Sequence, residues 1–99
     1  MGAPRPKPER LAEKLLAIRT ALGVSQPELL RRLGVEHLIE YHIISRYEHG
    51  RREPPLVILL EYARIANVYV EVLIDDELDL PDRLPSPTKS EGARSRKRR

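Results

Sequence analysis

The sequence contains no cysteine, no tryptophan and no phenylalanine, and apart from histidine its aromatic side chains are four tyrosines. Without cysteine, the chain forms neither a disulfide framework nor a thiolate zinc site, and a short domain without such cross-links is typical of the reducing cytosol. We therefore expect a cytoplasmic protein. Its core must be built from leucine, isoleucine, valine and alanine, a composition that suits packed helices.

Long apolar runs are missing as well. The longest run, residues 56–60, is far below the roughly 18 to 20 residues that cross a bilayer. The basic, proline-containing segment 1–8 is not followed by an apolar stretch of the kind found in signal peptides. We therefore expect neither secretion nor membrane insertion.

Charge is distributed unevenly along the 99 residues. The net charge is +3, but residues 81–99 alone carry seven Arg or Lys against two acids, and without them the chain has a charge of −2. Residues 71–79 carry five acids and no base. Because the basicity belongs to the tail, it does not by itself indicate that the folded part binds nucleic acid.

The chain divides into one domain and two terminal segments. Residues 1–8 and 81–99 are rich in proline and charge and poor in apolar residues, so we predict that both are disordered. The basic run 94–99 is either a solvated tail or an additional, sequence-independent contact to phosphates. Residues 9–80 remain as a single folded domain, in keeping with the length.

Within 9–80, apolar residues recur at helical rather than alternating spacing. We predict helices over about 9–22, 26–33, 54–67 and 69–76, with Gly23, Gly34 and Asn67 as C-terminal caps and Ser25 with Glu28 as a capping box. Segment 35–49 forms one helix or two, and ends at Gly50. The sequence therefore predicts an all-α fold, a compact bundle of about five short helices. Residues expected to face the core are Leu11, Leu15, Ile18, Leu22, Leu29, Leu30, Leu33, Leu56, Leu59, Leu60, Ala63, Ala66, Val70, Leu73 and Ile74.

Two of these expectations involve a choice. On propensity alone, segment 68–72 would be a strand, because four of its five residues are valine or tyrosine; we predict a helix there. The charged residues of the first helix are expected to lie outside its apolar stripe. They are Glu9, Arg10, Glu13, Lys14 and Arg19.

The third segment, residues 35–49, contains an amphipathic helix pattern with a polar face. Four polar residues fall at i, i+3, i+4 and i+7 and so share one face of a helix, while apolar residues point the other way. The polar residues are His42, Ser45, Arg46 and His49, and the apolar ones are Ile43, Ile44 and Tyr47.

A longer pattern extends over about 9–75. Its members are Leu15, Arg19, Gly23, Ser25, Gln26, Glu28, Leu29, Leu33, Gly34, Val35, Ile44, Ser45, Tyr47, Glu48, Gly50, Arg52, Pro54, Leu56, Leu59, Leu60, Ala63 and Val68. In residue type and order, this pattern resembles that of the phage-repressor or Xre-type helix-turn-helix family. The resemblance implies double-stranded DNA as the partner, with one helix crossing the backbone and the next lying in the major groove.

The resemblance also implies roles for individual residues. Gln26, at the start of the second helix, would bind a phosphate with help from the helix amides. Arg46 would reach guanine O6 and N7, and Tyr41 and His42 lie near positions that touch bases in this family.

The remaining roles concern the residues around the end of this helix. Ser45 and His49 lie on the same polar face as His42 and Arg46 and would also contact DNA. Arg51 and Arg52 would hold phosphates. Glu48 is expected to support the following turn, with Arg19 as its partner.

One spacing departs from the family. About four residues usually separate Leu-Gly-Val from Ile-Ser, whereas here eight do, residues 36–43. The additional four residues are close to one helical turn. Either the connection is longer, or the recognition helix begins a turn early with His37, Glu40 or Tyr41 at its tip.

Other functions find little support in the residues. The three histidines lack the spacing that zinc sites favour, and no nucleophile–base pattern or glycine-rich phosphate loop is present, so we expect no metal, no cofactor, no small-molecule ligand and no enzyme. We expect a homodimeric transcriptional regulator, a repressor, that uses Val70, Leu73 and Ile74 as a dimer interface. The alternative is a protein-interaction adaptor or antitoxin-like partner whose acidic segment 71–79 binds a basic protein.

Overall fold

The computed structural model describes residues 6–85, which form five helices and no strand. The helices are α1 (Leu11–Leu22), α2 (Gln26–Leu33), α3 (Tyr41–Glu48), α4 (Leu56–Ala66) and α5 (Val70–Ile74). The prediction of an all-α bundle of about five short helices is confirmed. Residues 1–5 and 86–99, including the basic run 94–99, belong to the predicted terminal segments and lie outside the described residues.

Helix ends follow the predicted caps. Gly23, Gly34 and Asn67 have left-handed φ angles of 71°, 73° and 61°, and each donates its backbone N–H to carbonyls of the preceding turn. A glycine carries no Cβ penalty in this conformation, and asparagine tolerates it better than most residues. Segment 35–49 holds one helix, α3, preceded by a turn. The region after Asn67 is helical from Val70, as predicted, despite its strand propensity.

The core is aliphatic with two buried tyrosines, and α1 lies at its centre in contact with α3, α4 and α5. The second layer is formed by α2, which packs on α3 and α4. Completely or almost completely buried side chains come from all five helices. The largest apolar ones are Leu15, Ile18, Leu29, Ile44, Tyr47, Ile58, Tyr62 and Leu73.

The register of α4 differs from the prediction. Leu56 and Leu60, expected in the core, are 81% and 37% exposed, whereas Ile58 and Tyr62 are fully buried. Apolar residues occur on both sides of α4, so its periodicity does not select a face, and packing against α1 and α2 decides it. Ile74 is also exposed, because Leu73 takes the core position in the short helix α5. Fully buried as it is, Leu73 is not available to a dimer interface.

Lys14 corrects a second expectation. It was placed outside the apolar stripe of α1, but only 2% of its surface is exposed. Its ammonium group donates to three backbone carbonyls, those of Val72, Asp75 and Leu78, at 2.8, 2.9 and 2.7 Å. Val72 and Asp75 lie at the end of α5, where the last carbonyls of a helix have no partner within the helix, and Leu78 lies in the segment that follows. Lys14 thus joins α1 both to the end of α5 and to the chain after it.

The acidic segment 71–79 is attached to the start of α1. The carboxylate of Asp76 accepts the backbone N–H groups of Glu9 and Arg10 at 3.0 and 3.1 Å, and these two hydrogen bonds lower the pKa of Asp76. The Arg10 guanidinium pairs with Asp79 at 2.8 Å. Because Asp76 caps the amides that precede Leu11, α1 begins at Leu11 rather than at residue 9, the predicted start.

The chain after α5 continues along the domain surface. Leu80 and Leu84 are partly buried against the core. Within 6–85, none of the helices has the length and apolar character needed to cross a membrane.

Candidate nucleic-acid interface

The first helix of the predicted motif, α2, begins with the expected serine cap. Ser25 Oγ accepts the backbone N–H of Glu28 at 3.2 Å, and Pro27 lies in the first turn, where no intrahelical donor is needed. Glu28 does not complete the capping box. Its carboxylate instead accepts hydrogen bonds from Arg31 and Arg32 one turn later, and these hydrogen bonds lower the pKa of Glu28.

The connection from α2 to α3 is a turn anchored at two points. Val35 is buried, and its carbonyl accepts the backbone N–H groups of Leu38 and Ile39 at 2.8 and 3.2 Å. Ile39 packs against the core, while Leu38 is exposed. Because α3 begins at Tyr41, with Glu40 as its N-cap, the additional residues lengthen the connection and His37 is not part of the helix.

Two faces of α3 have opposite character. Ile44, Tyr47 and Glu48 are buried against the domain. Tyr41, His42 and Arg46 are exposed, and Ser45 is partly exposed on the same side. Since successive helical residues are about 100° apart, these four side chains lie within less than half of the helix circumference.

A buried ionic cluster holds α3 against α1 and α2. The side chain of Glu48 is 2% exposed, and its two oxygens accept Arg19 Nε at 2.6 Å and Arg19 Nη2 at 3.1 Å. Gln26 Nε2, from the first turn of α2, donates to the same carboxylate at 3.2 Å. The predicted pairing of Glu48 with Arg19 is confirmed. Gln26, which was predicted to bind a phosphate, has its amide nitrogen bound to Glu48. It therefore links the start of α2 to the end of α3.

The charge of Glu48 affects its neighbours. Its hydrogen bond to Arg19 raises the pKa of that guanidinium. Tyr62 lies beside the cluster, and burial together with the negative charge of Glu48 raises the pKa of its hydroxyl. Among the described residues, the Tyr62 hydroxyl has no hydrogen-bond partner. Arg19 balances the negative charge of Glu48, and Gln26 adds one hydrogen bond to it.

The two histidines on the exposed polar face of α3, His42 and His49, both have contacts with neighbouring groups. His49 follows α3 as its C-cap residue, and its Nδ1–H donates to the Ser45 carbonyl at 2.8 Å, which leaves Nε2 as the ring nitrogen free to bind a partner. His42 Nδ1 lies 3.4 Å from the carboxylate of Glu40, and its ring meets that of Tyr41 edge to face. Glu40 thus orients one histidine and the helix backbone orients the other.

The predicted arginines lie at the end of the same face. Arg46, Arg51 and Arg52 are exposed. Within residues 6–85, neither Arg46 nor Arg51 forms an ion pair or a side-chain hydrogen bond, in contrast to Arg10, Arg19, Arg31, Arg32 and Arg64, each of which pairs with an acid. Unpaired guanidinium groups on an exposed face are available to an anionic partner.

A cleft of about 490 Å³ lies between the segment before α1 and the loop after α3. Lys7 lines one side of it, Arg51 and Arg52 line the other, and the body of Tyr47 forms part of its floor. The sequence analysis missed Lys7, because residues 1–8 were predicted to be disordered and no local pattern links them to the loop. The cleft also contains Glu9 and Glu53, so its charge is mixed.

Seven of the eight predicted site residues are thus exposed or partly exposed on α3 and the following loop, and Gln26, at the start of α2, is joined to α3 through its hydrogen bond to Glu48. Acids border these residues at Glu36, Glu40 and Glu53. In the part of the chain that the structure describes, no three histidine, aspartate or glutamate side chains come together as a metal site. Compared with family models, with curated proteins and with solved structures, the chain has no match in any of the three.

Proposed function

We propose that this protein is a sequence-specific double-stranded DNA-binding regulator of the helix-turn-helix type, with α3 as the recognition helix. The observation that carries the proposal is the division of α3 into a buried, ionically anchored face and an exposed face with Tyr41, His42, Ser45 and Arg46. A helix fits the major groove of B-DNA, and side chains of these types hydrogen-bond or contact base edges there. The likeness of the residue pattern to phage-repressor or Xre-type proteins supports the same function.

In this proposal, Arg46 reads a guanine and Tyr41 and His42 contact bases at the tip of α3. The guanidinium of Arg46, which has no ion-pair partner in residues 6–85, matches the O6 and N7 acceptors of guanine in a bidentate way. His49 Nε2 is the ring atom available to a base or a phosphate, because Nδ1 is bound to the helix backbone.

Phosphate contacts are assigned to the loop after α3. Arg51 and Arg52 stand on one side of the cleft, and Lys7 stands on the other, so a sugar-phosphate strand along the cleft would meet three cations. Such contacts fix the register of the protein on DNA without reading the sequence.

The competing proposal, an adaptor that binds a basic protein through segment 71–79, has less support. Three of the five acids in that segment accept hydrogen bonds or ion pairs from their own chain: Asp75 from the Glu77 amide, Asp76 from α1, and Asp79 from Arg10. A basic partner would have to compete with these contacts. The segment is therefore better suited to closing the domain than to recruiting another protein.

The proposal is tested by selecting bound duplexes from a random DNA library, at a salt concentration high enough to suppress nonspecific phosphate binding. We expect enrichment of a sequence with two half-sites about one helical turn apart, since regulators with this motif bind as dimers. Absence of any enriched sequence with folded protein would overturn the proposal.

Arg46→Ala supplies the residue-level test on the selected duplex. Loss of a bidentate base contact costs about 1 to 3 kcal/mol, roughly ten- to a hundredfold in affinity, and relaxes the preference at one base pair. Arg83→Ala removes an equal charge from the segment after α5 and is the matched control, with little expected change. Equal losses in the two variants would contradict the role of Arg46 in base reading.

A further inference from the structure

The two sides of the cleft before α1 are held by different parts of the molecule. The loop after α3 lies against the first turn of α1, because a Cβ at Gly50 would stand 3.7 Å from the Cβ of Ala12. Arg51 and Arg52 follow directly and line this side of the cleft. The other side contains Lys7, in a segment without helical structure of its own. Something outside this segment must therefore hold it in place.

The segment is tied to the end of α5 by Asp76. The carboxylate of Asp76 accepts the backbone N–H groups of Glu9 and Arg10 at 3.0 and 3.1 Å. The Arg10 guanidinium returns a hydrogen bond to the Asp76 carbonyl at 3.0 Å. Asp76 is itself fixed, since the buried Lys14 binds the carbonyl of the preceding residue, Asp75. The tie thus lies only two residues after the lysine of the cleft.

The connection between this tie and Lys7 is stiff. Pro8 stands between Lys7 and Glu9, and its ring fixes its own φ near −65°. The residue before a proline is restricted to extended conformations, which here applies to Lys7. With few backbone angles left free, the position of Glu9 determines where the backbone of Lys7 lies. Asp76 therefore acts on the cleft without lining it.

We propose that Asp76 is a positioning residue for DNA binding. By holding the two amides before α1, it places Lys7 opposite the two arginines of the loop after α3, so that cations on both sides of the cleft meet one sugar-phosphate strand. The inference rests on the proposed function and assigns to it a residue on a different element from the recognition helix. It also gives part of the acidic segment 71–79 a role in binding an acidic partner.

The sign of the effect separates positioning from charge. Loss of an acid by itself favours binding to phosphates, because repulsion falls. Asp76→Ala is expected to do the opposite: it weakens binding to the selected duplex about two- to fivefold and lowers the slope of the salt dependence by about 1, as loss of one phosphate contact does. Glu71→Ala removes the same charge from an exposed residue of α5 and is the matched control, with equal or tighter binding expected.

Lys7→Ala shows whether the effect of Asp76 passes through the cleft. Alone, it is expected to lose the same contact as Asp76→Ala, so the double variant binds no more weakly than Lys7→Ala. Circular dichroism checks that each variant is folded. Binding of Asp76→Ala that equals or exceeds that of the unmodified chain would overturn the inference. So would losses that multiply in the double variant, because Asp76 would then act without Lys7.

The placement of the segment is measured separately, without DNA. The chain contains no cysteine, so Lys7→Cys accepts a single nitroxide label. We expect the label to broaden the amide NMR signals of Arg51 and Arg52, this broadening to be lost when Asp76→Ala is added, and Glu71→Ala to leave it unchanged. Broadening that persists in Asp76→Ala would refute the inference whatever the DNA result. Its loss in a chain that binds no duplex removes the proposed function and keeps the placement by Asp76.

Discussion

Two cations on α1, the buried Lys14 and the partly buried Arg19, hold the two halves of the molecule, and they do so by different means. Lys14 binds the end of α5 and the chain after it through three backbone carbonyls. Arg19, five residues further along α1, binds α3 through the carboxylate of Glu48. It also donates to the Val24 carbonyl at 3.1 Å. One contact depends on the path of a backbone, and the other depends on the identity of a side chain.

This difference determines how each half responds to mutation. The partners of Lys14 are main-chain atoms that no substitution removes, so the sensitivity of the α5 half is concentrated in one residue. The α3 half is linked through Arg19, Gln26 and Glu48, so a change in one member is partly offset by the others. Side chains thus tune the candidate interface, while the opposite end is fixed by the backbone.

The largest effect is expected for Lys14→Met, which breaks the α5 half. The variant keeps the length of the side chain but removes the donor of three hydrogen bonds, leaving three carbonyls at and after the end of α5 without it. Hydrogen bonds to charged groups contribute about 1.5 to 3 kcal/mol each, and such losses are not additive. We expect the free energy of unfolding to fall by about 3 to 5 kcal/mol, measured by urea denaturation. A loss below about 1 kcal/mol would contradict the anchoring role of Lys14.

Glu48→Gln breaks the α3 half and is expected to cost less, about 1 to 3 kcal/mol. The amide preserves the shape and accepts one hydrogen bond, and the Arg19 side chain, 22% exposed, regains some hydration. Urea denaturation gives the loss, and Glu48→Gln with Arg19→Met completes a double-mutant cycle. If the two changes add independently, the ion pair is not what couples α1 to α3.

Tyr62→Phe sharpens the comparison at the α3 end. The hydroxyl is buried next to Glu48 and, among the described residues, has no hydrogen-bond partner. Removing an unsatisfied buried polar group costs no hydrogen bond. We therefore expect the free energy of unfolding, measured by thermal denaturation, to rise by less than about 1 kcal/mol. A clear destabilisation would mean that the hydroxyl has a partner that the geometry does not include.

The smallest effect is expected at Asp76, near the Lys14 end. Hydrogen bonds from the Glu9 and Arg10 amides lower the pKa of Asp76 in the folded protein. A carboxylate with a lowered pKa stabilises the fold above the pKa of the unfolded chain, about 4 for an Asp, and that contribution is lost as pH falls from there through the lower pKa of the folded protein. Asp76→Asn is therefore slightly less stable than the unmodified chain at pH 7, and the difference disappears in acid. Unfolding curves at several pH values measure it, and a difference independent of pH would contradict the assignment.

Local signals predicted most of the fold. Gly23, Gly34 and Asn67 marked three helix ends, Ser25 marked a helix start, and the spacing of Leu11, Leu15 and Ile18 marked the buried side of α1. Each of these depends on residues within one or two turns of the chain. The pairing of Arg19 with Glu48 was also anticipated, though from the resemblance of the residue pattern and not from spacing.

Contacts between distant segments account for what the sequence did not reveal. Lys14 is buried because residues 72–78 bring three carbonyls to it, and the start of α1 depends on Asp76, 66 residues away from Arg10. The face of α4 could not be chosen, because Leu56 and Ile58 are equally apolar. In the candidate site, α3 was located by its pattern, but the approach of Lys7 to the loop after α3 has no local signal.

The turn between α2 and α3 has a further consequence. Its two anchors, Val35, which is buried, and Ile39, which is partly buried, hold the ends of the turn, while residues 36–38 between them are exposed. We expect substitutions of the side chains at those three positions to leave the core and the start of α3 at Tyr41 intact, because the turn is held by backbone hydrogen bonds to the Val35 carbonyl. Such a segment can change in sequence at little cost to stability, so the chain has a place directly before α3 where exposed side chains can vary without refolding the domain.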